Sequence, residues 1–206
     1  MKNGDLKKGI FIVIEGIDGA GITTNSRLLV DWLNENQFNA LYTKEPTDSP
    51  IGKLIRGYLK SSSDLDPYLM ALLFTADRSL HVKNFIIPNL ELGKIIVCDR
   101  YFYSTLAYQS VHGVDFNLIY KMNKNFPQPN LVLLLDVKPE TAIKRKHGDK
   151  EFYENLDFLN DIRKKFLEMA SDFNFVVISS NENLETVQNK IRKVTNYLID
   201  EILERK

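Results

Sequence analysis

The 206 residues include a single cysteine, Cys98, a single tryptophan and no excess of either charge. A lone cysteine excludes an intramolecular disulfide framework and a zinc site built on cysteines, and it points to a reducing compartment. Lysine plus arginine number 27 and aspartate plus glutamate 27, a formal net charge of +0. No global field therefore draws in nucleic acid or an anionic membrane, and any anion site must be local. No apolar run reaches the roughly 18 residues of a membrane-spanning helix, and Met1-Lys2-Asn3-Gly4-Asp5 lacks the apolar region of a signal peptide. The expectation is a soluble cytoplasmic protein with no nucleic-acid and no membrane partner.

One further absence is local. Gly16-Ile17-Asp18-Gly19-Ala20-Gly21-Ile22-Thr23 fits the phosphate-loop template G-x-x-x-x-G-K-[ST] at Gly16, Gly21 and Thr23, but Ile22 stands where the template has lysine. In such a loop the glycines let backbone N–H groups point into one cavity, the following helix adds its dipole, and the lysine reaches the outer phosphates. The flanks suit a real loop. Ile10 to Glu15 reads as a buried strand, and Thr24 to Leu33 carries apolar residues at helical spacing. Without the lysine, the loop taken alone is either a phosphate cradle or a bare strand-to-helix turn.

With 44% hydrophobic residues the chain can bury a sizeable core, and its length suits one domain over residues 1–206. Short β-rich runs at Ile10–Glu15, Ala40–Thr43, Lys94–Cys98, Leu131–Asp136 and Phe173–Ile178 alternate with helical patterns. The continuous apolar runs Leu131 to Leu135 and Ile95 to Cys98 indicate strands covered on both faces. The fold class expected is α/β, a doubly wound, five-stranded parallel sheet with helices on both faces. A helical pattern over Asp66–Leu92 contains Pro88, where a kink or early stop is expected; Ser61-Ser62-Ser63 reads as a polar connection before it, and Glu182–Arg205 as a terminal helix.

Ligands of such sheets bind at the carboxyl ends of the strands, where several reactive residues gather. Asp99 ends an apolar strand and is either a Mg²⁺-supporting carboxylate beside the Thr23 hydroxyl or the N-cap of the next helix. Arg100 suits bidentate phosphate contact or a structural pair with an aspartate. Phe74 and Arg78 share a helix face, fit either to stack a base and bind its polar atoms or to pack in the core with Arg78 paired to an acidic neighbour. Lys144 to Lys150 is a basic, glycine-containing run, read as a mobile lid around 144–151 or as a solvated charged face.

Taken in order, Phe11 to Gly21, Lys44-Glu45-Pro46-Thr47-Asp48, Leu73-Phe74-Thr75-Ala76-Asp77-Arg78 and Asp99-Arg100-Tyr101 resemble the thymidylate kinases, within the P-loop nucleoside-monophosphate kinases. The resemblance implies transfer of the ATP γ-phosphate to dTMP, giving dTDP and ADP for dTTP synthesis, with Mg²⁺ as cofactor and a homodimer as the assembly. It assigns the ATP to the loop, Gly16, Asp18, Gly19, Ala20, Gly21, Ile22, Thr23 and Thr24, with Arg145 on the adenine. It assigns dTMP to Asp18, Lys44, Phe74, Arg78, Arg100, Thr105 and Tyr108. Thr23 and Asp99 would support the metal. Arg100, Asp99, Arg145 and Lys146 would carry catalysis. Gly19 stands where some members have an arginine, and such a chain resembles the class whose lid supplies the positive charge, here Lys144, Arg145, Lys146 and Lys150.

Replacing the loop lysine with an aliphatic side chain removes a pre-organised donor, a loss of about 10²–10³ in rate in comparable sites. Three readings follow: an active thymidylate kinase with relocated charge, a non-catalytic nucleotide-binding relative, or a kinase for another nucleoside monophosphate.

Overall fold

The computed structural model describes residues 8–61, 66–145 and 156–204. Their centre is a parallel sheet of β1 (Ile10–Glu15), β2 (Ala40–Lys44), β3 (Ile95–Asp99), β4 (Leu131–Asp136) and β5 (Val176–Ser179), in the order β2-β3-β1-β4-β5. All six residues of β1 are buried. Each large aliphatic side chain taken from water there contributes about 1.5–3 kcal/mol, and a strand covered on both faces has no polar side to alternate with. β1 pairs with β3 on one side and β4 on the other, so the loop leaving β1 opens where the winding of the sheet reverses. That is the crevice in which doubly wound folds hold ligands.

On one face lie α1 (Ile22–Glu35) and α9 (Leu184–Glu204), packed on each other, α1 against β1 to β3 and α9 against β4 and β5. Opposite them, α3 (Pro67–His81), α6 (Phe116–Asn123) and α8 (Leu156–Asp172) pack around α5 (Phe102–Val111). α2 (Pro50–Ser61) leans on α3, and α7 (Pro139–Arg145) on α8.

Several boundaries differ from those read in the sequence. β2 runs one residue further, to Lys44, and β3 is shifted by one, to Ile95–Asp99, because the pairing of Lys44 with Asp99 continues the ladder. β5 starts at Val176 rather than Phe173: Asn174, at φ 54, reverses the chain while Phe175 N–H closes on the Ala170 carbonyl at 2.9 Å. Ser61 belongs to α2 rather than to the connection after it. Asn183 caps α9 through the Thr186 N–H at 2.9 Å, setting its first residue at Leu184.

Over Asp66–Leu92 the helical path does not break at Pro88. Asp66 caps α3 by accepting from Tyr68 and Leu69 N–H groups. A π-turn at Val82–Ile86 then precedes α4 (Ile87–Glu91), in which Pro88 occupies the first turn. The backbone stays helical through this junction, with the Ile87 N–H bonded to the Val82 carbonyl, so the proline ring follows a stretch in which the π-turn has already shifted the acceptor pattern.

Candidate active site

Gly21 sits at φ 88 as the N-cap of α1, and Gly19 at φ 82. Both conformations suit glycine, but Gly19 is constrained twice. A Cβ there would meet the Ala142 carbonyl oxygen of α7 at 2.5 Å, so the arginine that some family members place at this point has no room. Ile22 is only 5% exposed and joins the core, its Cδ1 3.7 Å from where a Gly16 Cβ would lie. The loop thus has backbone donors and a helix N-terminus, but no cation of its own. Behind it, Asn25 donates to the Gly21 carbonyl at 2.9 Å, and Gln188 of α9 donates to Asn25 Oδ1 at 2.7 Å.

The loop opens into a cavity of about 370 Å³ lined by Asp18, Gly19, Gly21, Thr23, Thr24, Asp99 and Arg100, with Ile17 and Ile22. Ala20 is buried beneath it. Two hydroxyls converge on one oxygen of Asp99: Thr23 donates to Oδ2 at 2.5 Å and Tyr42 at 3.1 Å. These hard oxygen atoms fit Mg²⁺, which binds through one or two protein oxygens and takes its other ligands from water and phosphate. Among the described residues no group of three or more His, Cys, Asp or Glu side chains is placed to hold a metal ion.

The helix-cap role open to Asp99 goes elsewhere. Tyr101 is the N-cap of α5 and makes no side-chain cap bond; the end groups are taken by Glu15, whose Oε1 accepts from Tyr101 N–H at 2.8 Å and Ser104 N–H at 3.2 Å. Glu15 Oε2 also accepts from the Ser104 hydroxyl at 2.5 Å. Burial pushes the Glu15 carboxyl up to about 7 against the pull of these donors and of Arg100.

Arg100 occupies the left-handed region at φ 68, which costs a non-glycine residue of order 1–3 kcal/mol unless its surroundings fix it. They do. Its N–H bonds the Ile14 carbonyl at 3.0 Å; Nη1 donates to the Gly16 carbonyl at 2.9 Å and Ser104 Oγ at 3.1 Å; Nη2 meets Asp18 Oδ1 at 2.5 Å. Its guanidinium also lies 5.6 Å from the Tyr108 ring centre. Burial opposes the charge, but Tyr108, Asp18, Glu15 and Asp99 outweigh it, so the group stays cationic. The Tyr108 hydroxyl accepts from the Asp18 N–H at 3.2 Å, which brings Asp18, Arg100 and Tyr108 into one cluster.

Across the sheet, Arg78 is 1% exposed. It bonds Glu45 through Nε at 2.8 Å and Nη2 at 2.7 Å, Asn123 Oδ1 at 2.6 Å and Thr105 Oγ1 at 3.1 Å. His81 Nδ1 is 3.0 Å from the other Glu45 oxygen. Arg78 and Thr105 are thus brought together, with Glu45 as the acidic neighbour. Phe74, one turn before Arg78, is half-buried. Asp77 fixes the segment after Lys44 by accepting from Thr47 N–H, Thr47 Oγ1 and Ser49 Oγ at 2.6–2.7 Å.

Arg145, at the end of α7, donates to the Ser180 carbonyl at 2.7 Å; Lys144 beside it is exposed. Lys146, Lys150 and the rest of the expected lid beyond Arg145 lie outside the described residues. Sequence reasoning gave no role to Glu15, Tyr42, Ser104 or Asn123. Glu15 was visible as a charge ending an apolar strand next to the loop; the other three had no local signal.

The thymidylate kinase family model matches residues 14–191. A protein of Methanocaldococcus jannaschii named probable thymidylate kinase is 44% identical over 183 residues, covering 88% of this chain and 93% of its own. A second, of Archaeoglobus fulgidus and with the same name, is 42% identical over 188 residues, 90% of this chain and 94% of its own. A third, again so named, from Pyrococcus horikoshii, is 39% identical over 193 residues, 89% and 94% of the two chains. A family match spanning most of the chain, on a parallel sheet whose phosphate loop faces Asp99 and Arg100, makes this chain a member of the thymidylate kinase family of nucleoside-monophosphate kinases.

Proposed function

We propose that the chain transfers the γ-phosphoryl group of ATP to dTMP with Mg²⁺, giving dTDP and ADP, although Ile22 replaces the loop lysine. The observation that carries this reading is Arg100. It is held in a left-handed backbone by the Gly16 carbonyl, Ser104 and Asp18, one residue from Asp99. A protein that only bound a nucleotide would have no use for a guanidinium fixed at that cost.

In this reading the N–H groups of Gly16 to Thr24 and the dipole of α1 receive the donor phosphates. Arg145 serves the adenine. Thr23 and Asp99 would hold Mg²⁺, which when bound would neutralise phosphate charge. Phe74, Arg78 and Thr105 form the base end of the acceptor site, and Asp18 and Tyr108 its sugar end. A dTMP phosphate oxygen then forms a bond to the γ-phosphorus while the bond to the β-phosphate bridging oxygen breaks, and ADP leaves. Arg100, between the two phosphates, neutralises the charge that develops. Phosphoryl transfer of this kind rests on alignment and charge rather than on a strong base.

The exposed apolar side chains of α3 and α4, Tyr68, Leu69, Leu72, Leu80 and Ile87, support a homodimer built on this helical run. Among the described residues no helix is long and apolar enough to cross a membrane, and a formal net charge of +0 provides no global attraction for nucleic acid, in keeping with small nucleotides as the ligands.

An ADP-release assay with ATP, Mg²⁺ and each deoxynucleoside monophosphate in turn tests the assignment. Turnover that depends on dTMP and exceeds that with the other acceptors is expected. Turnover on another monophosphate in preference to dTMP contradicts the acceptor assignment.

A further inference from the structure

We propose that Lys44 supplies the phosphate-binding cation that the loop lost at position 22, an inference that rests on the kinase reading above but concerns the donor phosphates.

The alternation of β2 decides where Lys44 lies. Successive residues of a strand point to opposite faces of the sheet. Thr43 Oγ1 is 2.6 Å from His81 Nε2, and Glu45 binds Arg78 and His81, so Thr43 and Glu45 belong to the α3 face with the base-end residues. Tyr42 belongs to the other. Its hydroxyl donates to Asp99 Oδ2 at 3.1 Å and its ring lies 4.4 Å beneath the Arg27 guanidinium of α1. Lys44, two residues after Tyr42 and still in the ladder, shares that face with Asp99, Thr23 and the N-terminus of α1.

Its register is equally specific. The Cα partner of Lys44 on the neighbouring strand is Asp99, and the Glu45 N–H bonds the Asp99 carbonyl at 3.0 Å, holding the strand ends together. Paired parallel strands are about 4.8 Å apart, less than the reach of an extended lysine. Lys44 does not line the loop cavity in the conformation described, so its side chain must extend toward Asp99 and Thr23 to meet a phosphate held there. The side chain is half-buried and makes no hydrogen bond or ion pair among the described residues. Of the other cations at this edge, Arg27 lies over the Tyr42 ring, and Arg100, held by Asp18, Gly16 and Ser104, serves the transferring group in the reading above.

A lysine from β2 can thus do from the side what a loop lysine does from below, because a flexible point charge needs proximity to the phosphates rather than a fixed approach. Family resemblance gives Lys44 to the acceptor. The strand's alternation separates it from Arg78 and Thr105 and gives it to the metal and donor side.

Four proteins test this: the natural chain, Lys44→Ala, Ile22→Lys and the double variant. Calorimetry without acceptor should find that Lys44→Ala weakens Mg²⁺-ATP binding by about tenfold or more, the value of a hydrogen bond to a charged group, and leaves dTMP binding within about twofold. In turnover, Lys44→Ala should lower kcat by about 10²-fold, and Ile22→Lys should restore most of that loss in the double variant. Weakened dTMP binding with unchanged ATP binding overturns the proposal, as does a double variant no better than Lys44→Ala that still folds by its thermal transition. If the natural chain turns nothing over, the kinase reading fails, while the ATP calorimetry still decides the place of Lys44.

Discussion

The Thr23 hydroxyl and the Asp99 carboxylate lie 2.5 Å apart although 76 residues separate them in the chain. Their bond ties the first turn of α1 to the end of β3, and the Tyr42 hydroxyl reaches the same Asp99 oxygen at 3.1 Å. If this oxygen cluster holds the metal, Asp99→Asn should lower kcat by about 10²–10³-fold. ADP binding should then lose most of its dependence on Mg²⁺. Calorimetry of ADP with and without Mg²⁺ measures this, and an unchanged ratio of the two affinities places the metal elsewhere.

Arg100 separates chemistry from stability. Replacing it with glycine removes the ion pair to Asp18 but also relieves a left-handed backbone that costs of order 1–3 kcal/mol. The two effects oppose each other, so Arg100→Gly should keep a thermal midpoint within several degrees of the natural chain. If Arg100 stands at the transferring phosphate as proposed, its loss should nevertheless lower kcat by about 10³-fold or more. Turnover kinetics and a melting curve on one sample check both parts.

Glu15 makes stability depend on pH. Its carboxyl is raised by burial from an ordinary 4.5 to about 7. A raised acid binds more protons folded than unfolded, so its contribution is fully present below about 4.5 and is lost as pH rises toward 7, a change on the order of 3 kcal/mol. Glu15→Gln has no such titration. The difference in thermal midpoint between the natural chain and Glu15→Gln should therefore shift against the natural chain from pH 5 to pH 8, and then level off. A difference that is flat over this range contradicts the burial argument.

Gly19→Ala tests the closeness of loop and α7. The added Cβ would meet the Ala142 carbonyl oxygen at 2.5 Å in a backbone at φ 82. Both strains act together, and a loss of roughly 1–3 kcal/mol is expected, with weaker ATP binding because the loop must move to relieve the contact. Denaturant unfolding and calorimetry report the two effects.

Much of this was legible in the sequence, for reasons that can be stated. A strand buried on both faces must be continuously apolar, so β1, β3 and β4 announced themselves, and a glycine loop between strand and helix gave the ligand edge. What stayed hidden depended on pairing across the chain. Glu15 looked like the end of a strand, yet it serves as the N-terminal acceptor for α5, 86 residues away from Tyr101. Arg78 carried a family role, and only the fold brought Glu45, Asn123 and Thr105 around it. Pro88 suggested a kink or an early stop, and the sequence has no signature for the π-turn that precedes it. The face on which Lys44 lies followed from its neighbours' partners, none of which is near it in sequence.

Formation of dTDP by the purified natural chain, followed directly from ATP, Mg²⁺ and dTMP, is the measurement that bears most closely on a kinase without its loop lysine. Steady production of dTDP with one ADP per turnover is predicted, with loss of the product when Arg100 is replaced. No dTDP from a protein that still binds ATP and dTMP by calorimetry would contradict it, leaving a nucleotide-binding relative in which Ile22 has ended the chemistry.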